Sequence, residues 1–211
     1  MAKLFPAFIN IKGKKCVVVG GGRVAERKIK TLLQYGAKIT LISPEINENI
    51  RRIIEKGQIE YIKKQFSKED IKDAFLVVAA TSDEKLNAEI AKNAKFLINC
   101  VTALPGLEIS GLLYNVPAVF HNADLTIAIS TEFPALSKLL KNEISKSYGK
   151  EFASYLKYLK KLRIEIQKKI PETKRRQEIF RKIASKEIVS ILKQYGFKKA
   201  KQEVEKILNE T

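Results

Sequence analysis

Residues 15–28 read KCVVVGGGRVAERK, and the fold turns on how this stretch is read. Residues 16–19 are a short apolar run rich in β-branched side chains, as expected of a parallel strand covered on both faces. Gly20, Gly21 and Gly22 follow, and Ala25 stands where a third small residue is needed. Gly20, Gly22 and Ala25 thus fill the pattern G-x-G-x-x-G/A between a strand-like run and a helix-like one, the context a dinucleotide fingerprint requires. The first glycine permits a tight turn, the second lets backbone approach a pyrophosphate, and the small third residue lets helix and strand pack closely. The helix that follows aims free N–H groups and a positive dipole end at the phosphates. The competing reading is a glycine-rich turn that binds nothing.

Downstream, apolar periodicity alternates between the two kinds of element. Helix spacing runs from Val24 to Tyr35 and stops at Gly36; KITLI at 38–42 is a strand ended by Ser43 and Pro44. A helix over 46–55, a strand over 59–62 and a helical turn capped by Ser67 come next. The runs FLVVA at 75–79 and FLINCV at 96–101 are buried strands on either side of a helix over 84–93. This β-α-β order predicts an α/β fold, a Rossmann-type doubly wound parallel sheet. The pattern changes near Leu104. Residues 116–120 and 125–130 read as two further strands, with a turn at 122–124. From Pro134 onward the chain is helical, with apolar stripes over 152–170, over 179–195 up to Gly196, and over 204–208.

The chain has 211 residues, 45% of them hydrophobic, enough for a sizeable core, and a net charge of +17. From Lys138 onward lie 21 of the 40 basic residues but only 9 of the 23 acidic ones. Such a surface attracts polyanions, unless the lysines merely solvate helix faces. The tail aromatics Phe152, Tyr155, Phe180 and Tyr195 fall on the apolar stripes, which argues for core rather than base-stacking platforms and against nucleic acid. No apolar run approaches the roughly 20 residues of a membrane span, and no secretory signal is evident. Cys16 and Cys100 lie in strand-like runs and read as buried thiols of a cytoplasmic protein. A single histidine and two cysteines cannot supply an all-nitrogen-and-sulfur zinc site, so no metal is expected.

The place after the second strand, where many dehydrogenases carry an acid for the ribose hydroxyls, holds Ser43, Pro44 and then Glu45. No arginine stands at 43–46 to meet a 2′-phosphate, so NAD is expected rather than NADP. Thr81 follows a strand's carboxyl end, on the ligand-binding rim of such sheets. Asn87 and Asn99 are either site residues or structural amides. Ser130 and Thr131, before the helix that opens at Pro134, form either an anion cradle or a plain helix cap. His121, placed in a turn, reads as structural.

Five segments together resemble the siroheme-synthase N-terminal family, the NAD-dependent precorrin-2 dehydrogenases: 13–44 (GKKCVVVGGGRVAERKIKTLLQYGAKITLISP), 75–95 (FLVVAATSDEKLNAEIAKNAK), 98–101 (INCV), 116–120 (VPAVF) and 125–144 (LTIAISTEFPALSKLLKNEI). The resemblance implies a Rossmann domain over 1–113, a dimerisation region over 114–148 forming a homodimer, and a small C-terminal helical domain over 149–211. It implies oxidation of precorrin-2, a tetrapyrrole polycarboxylate, to sirohydrochlorin with NAD. It places Gly20, Gly22, Arg23, Val24, Ser43, Pro44 and Thr81 at the cofactor and Ser130 and Thr131 at the substrate. The family typically has an aspartate immediately after the INxV segment; Thr102 stands there, leaving Glu108 and Asp124 as the nearest carboxylates in sequence. A second departure puts Glu132 and Phe133 where the family has a glycine pair and a serine. The alternatives are a bifunctional dehydrogenase and ferrochelatase, a non-catalytic NAD- or tetrapyrrole-binding protein, and a regulator whose basic arm binds nucleic acid.

Overall fold

A computed structural model describes residues 5–100, 112–113, 116–131 and 133–210. They form two compact units, Met1–Asn115 and Val116–Thr211.

The first unit contains β1 (Lys15–Val19), α1 (Arg23–Gln34), β2 (Lys38–Ile42), α2 (Glu48–Glu55), β3 (Glu60–Ile62), a 3-10 turn (Lys68–Ile71), β4 (Leu76–Ala79), α3 (Glu84–Asn93), β5 (Leu97–Cys100) and β6 (Leu112–Leu113). The strands pair in the order β3-β2-β1-β4-β5-β6, all parallel, as in the Rossmann arrangement. Side-chain alternation divides the core in two. Cys16, Val18, Ile39, Leu41, Leu76 and Val78 face α1 and α2. Val17, Val19, Val77, Ala79 and Ile98 face α3 and the 3-10 turn. The continuous apolar runs of the sequence are therefore strands covered on both sides. The topological switch falls between β1, which carries the glycine turn, and β4, its direct parallel neighbour.

The second unit begins with a hairpin, β7 (Ala118–Asn122) and β8 (Leu125–Ile129), paired antiparallel. Its turn is Ala123–Asp124, one residue shorter than the sequence pattern suggests, and Ala123 takes a positive φ of 52°. His121 consequently lies within β7 rather than in a turn, its Nδ1 3.0 Å from Thr126 Oγ1 across the ladder. Asn122 Nδ2 donates to the carbonyls of Tyr148 and Gly149 at 2.5 and 2.7 Å, fixing the hairpin to the joint between α4 (Pro134–Ser147) and α5 (Lys150–Lys169).

Two further helices follow, α6 (Thr173–Ile183) and α7 (Lys186–Asn209). The single stripe expected over 179–195 is broken at Ser185, whose Oγ accepts from the N–H of Ile188 and starts α7. Gly196 then takes φ 79° and kinks α7. The Glu151 carboxylate accepts from Phe197 N at 2.5 Å, so a side chain of α5 caps the helix beyond the kink. Tyr155, Leu162, Ile166, Ile179, Ile183, Ile188, Leu192, Ala200 and Val204 are the buried core of these helices. Phe152 and Phe180 pack against it, whereas Tyr195 is exposed.

Candidate functional site

Three helices of the first unit start beside the carboxyl ends of β1, β2 and β4. Their N-termini differ in chemistry. The start of α2 is capped by Asn47, whose Oδ1 accepts from Ile50 N at 2.9 Å. The start of α3 is capped by Asp83, whose Oδ1 accepts from Lys85 N and Leu86 N at 2.9 and 3.1 Å. The start of α1 has glycine at the N-cap and no side-chain cap at all. Its first-turn N–H groups have no acceptor within the helix, so they and the dipole end are left for an anion.

The glycines divide this work. Gly20 has φ +114°, donates to Ile42 O at 2.9 Å, and a Cβ there would lie 2.3 Å from Ala80 O. A Cβ on Gly21 would lie 1.9 Å from Glu45 O. A Cβ on Gly22 would meet nothing within 4 Å. Gly20 and Gly21 thus let chain pack on chain, while Gly22 keeps open the space in front of α1. That space belongs to a cleft of about 910 Å³ over the carboxyl ends of the strands. A nucleotide pyrophosphate fits this end of it by chemistry and by room.

Gly20, Gly22, Ser43, Pro44 and Thr81 all line the cleft. Arg23 and Val24 are exposed on the first turn of α1 and are not among the lining residues. Ser43 is buried and its hydroxyl donates to Glu45 O at 2.6 Å, holding the Pro44–Glu45 bend in shape. Tyr61 Oη donates to Ser43 O at 3.1 Å from β3. Thr81 is held by the fully buried Asn87. Asn87 Oδ1 accepts from Thr81 N at 3.1 Å and lies 2.8 Å from its Oγ1, and Asn87 Nδ2 donates to Thr81 O at 3.1 Å. Asn87 is therefore a structural amide that shapes the loop after β4. Asn99 is buried on β5, at the register position of Val78.

Lys64 and Phe66, which follow β3, also line the cleft and were not evident from the sequence, since only the β2–β3 pairing brings them there. Lys64 Nζ lies 2.6 Å from Asp70 Oδ1, and Asp70 Oδ2 accepts from Ser67 N at 2.8 Å. Burial pushes the Asp70 carboxyl up, but the bonds from Lys64 and Ser67 outweigh it and leave the pKa below its ordinary value. Behind the glycine turn, Glu26 accepts from Lys30, Asn47 and Asn49. Sequence spacing marks only the Lys30 pair, one helical turn away; the two asparagines arrive through the fold.

In the second unit, Ser130 is exposed. Thr131 N donates to Ser137 Oγ at 3.0 Å, and Thr131 Oγ1 lies 2.8 Å from the same oxygen and accepts from Phe133 N at 3.2 Å. The N-cap position of α4 is Phe133, not Thr131. Asp124 is half exposed at the hairpin tip, 3.2 Å from Lys160 Nζ. Thr102, Glu108 and Glu132 lie outside the described residues. Among the described residues, no three of His, Cys, Asp and Glu gather as metal ligands, and no helix is long and apolar enough to cross a membrane.

Comparison with known proteins gives the same picture. A family model described as putative NAD(P)-binding matches residues 7–108. A precorrin-2 dehydrogenase of Bacillus subtilis (strain 168) is 33% identical over 76% of this chain and 98% of its own length. One from Priestia megaterium is 30% identical over 92% of this chain and 96% of its own. The solved structure of SirC, a precorrin-2 dehydrogenase, superposes with a TM-score of 0.74 at 27% identity, covering 96% of this chain and all of that one. By sequence over nearly its whole length, and by fold, the chain belongs to the precorrin-2 dehydrogenase family.

Proposed function

We propose that this protein oxidises precorrin-2 to sirohydrochlorin with NAD⁺. The carrying observation is the uncapped start of α1, opening into a deep cleft while its two neighbours are capped by their own side chains. NAD⁺, when bound, accepts the hydride, and a proton leaves to solvent. This chain's residues bind and orient. The N–H groups at Gly22, Arg23 and Val24 would hold the pyrophosphate, the bend at Ser43 and Pro44 would face the adenosine ribose, and the Thr81 loop would stand at the nicotinamide end.

NAD is favoured over NADP by what surrounds the ribose place. Glu45 is on the cleft wall there, Arg51 and Arg52 on α2 pair with Glu48, and Lys64, which lines the same cleft, pairs with Asp70. A 2′-phosphate would meet a carboxylate and no waiting guanidinium.

Thr102 cannot serve as a base at neutral pH. The oxidation extends conjugation in the macrocycle, so positioning can supply most of the rate, and a missing acid–base group typically costs about 10²–10⁴-fold. Ser130, Thr131 and the basic helices are proposed to receive the substrate's carboxylates. Residues 114–148 are proposed as the homodimer contact, because Phe133 and Leu139 are 70% and 57% exposed beside a two-stranded hairpin too small to bury its own faces. We propose that the reaction runs in the cytoplasm, which suits Cys16 and Cys100 kept as thiols. The test is anaerobic turnover: purified protein with precorrin-2 and NAD⁺ should form sirohydrochlorin faster than buffer, and faster than with NADP⁺. A rate equal to buffer removes the reading.

A further inference from the structure

We infer that Glu26 is the positioning residue of the cofactor site, a charged latch that holds the pyrophosphate turn against the ribose bend. The inference rests on the dinucleotide reading above and names how this chain builds that site. Glu26 is the fourth residue of α1 and is only 8% exposed. Its carboxylate takes four contacts from three side chains. Lys30 Nζ is 2.5 Å from Oε1, Asn47 Nδ2 is 3.1 Å from Oε2, and Asn49 Nδ2 is 3.2 Å from both oxygens.

Asn47 is what makes this more than a helix-to-helix tie. Besides donating to Glu26, it caps α2 through Oδ1, and its N–H donates to Gly21 O at 3.0 Å. The turn that presents α1 to a pyrophosphate and the loop that faces the ribose are thus joined at one residue, and Glu26 orients that residue. The fit there is close, since Gly21 has no room even for a methyl group against Glu45 O. A released Asn47 would let the two walls of the cleft separate.

The charge matters too. A carboxylate in the first turn suits the helix dipole but opposes a bound diphosphate a turn away. Lys30, half exposed, cancels that charge while leaving the carboxylate's other lone pairs for the asparagines. The Lys30 bond first, and then that from Asn49, hold the Glu26 pKa below the ordinary carboxylate value, so the group stays ionised.

The test is NADH binding, followed by nicotinamide fluorescence, which needs no substrate. E26A should raise the Kd about tenfold, the equivalent of one hydrogen bond to a charged group. E26Q, whose amide oxygen can still accept from the asparagines, should remain within about threefold of wild type. K30M alters an exposed stem and leaves the latch in place. It removes one positive charge near the diphosphate and should weaken binding by about threefold at low salt and less at high salt, in the wild-type and E26Q backgrounds alike. Equal Kd values for wild type and E26A overturn the latch, as does a loss in E26Q as large as that in E26A. A wild-type protein that binds no NADH removes the cofactor reading along with it.

Discussion

At the scale of single residues, the three adjacent glycines carry different duties, which the bare pattern does not distinguish. Gly20 and Gly21 would each drive a Cβ into backbone, at 2.3 and 1.9 Å, whereas Gly22 faces open space. G21A should therefore lower the melting temperature by several degrees, the effect of about 1–3 kcal/mol of overpacking. G22A should leave melting within about a degree, since its site is unstrained, yet abolish measurable NADH binding. Calorimetry and a binding titration on the same two variants separate these outcomes. The fingerprint was legible because its glycines are contiguous in sequence and flanked by the right periodicities. Glu26, Asn47 and Lys64 were not, because their roles depend on β2 lying beside β1 and β3 beside β2. The sequence puts Ser43 at the cofactor, and it lines the cleft, where its hydroxyl bonds Glu45 O and shapes the bend. Sequence identifies a hydrogen-bonding group more readily than the partner it takes.

At the scale of elements, β1 to β5 followed from their apolar runs and the helices from spacing and from stops such as Gly36, whereas the short β6 lies where the sequence shows no clear period. The second unit was less transparent. The stripe Ile179, Ile183, Ile188 and Leu192 continues in sequence across the boundary between α6 and α7, with no glycine or proline to mark it. The signal present was Ser185 three residues before Ile188, a capping serine that the unbroken stripe obscured. What fixes that boundary is Tyr155, which is 2% exposed on α5 and whose hydroxyl donates to the carbonyl of Ile183, the last residue of α6. Burial first, and then the neighbouring Tyr158, push the phenol pKa up to about 12, so it remains a donor throughout the working range. Y155F leaves that carbonyl buried without its donor and should cost about 1–3 kcal/mol. Denaturant melts should show a lower midpoint with an unchanged slope. An unchanged midpoint would mean the hydroxyl does not secure the joint.

At the scale of the whole molecule, both units depend on ionised carboxylates. The pKa values of Glu26 and Asp70 in the first unit, and of Glu187 and Glu203 in the second, are held below their ordinary values by partners present only in the folded chain. The unfolded chain then binds more protons than the folded one just below the ordinary carboxylate range. Stability is therefore complete above that range and falls as pH drops through the lowered folded values. Thermal melts between about pH 6 and pH 3 should show a falling midpoint, and a flat profile would contradict these assignments. The +17 net charge adds to the effect, since neutralising carboxylates on so basic a chain increases self-repulsion.

The central claim joins the open start of α1 to one reaction, and stoichiometry tests it most directly. Under anaerobic conditions, purified protein should convert precorrin-2 to sirohydrochlorin only when NAD⁺ is present, with NADH appearing in equal amount. Sirohydrochlorin forming at the buffer rate, or forming without matching NADH, would contradict it.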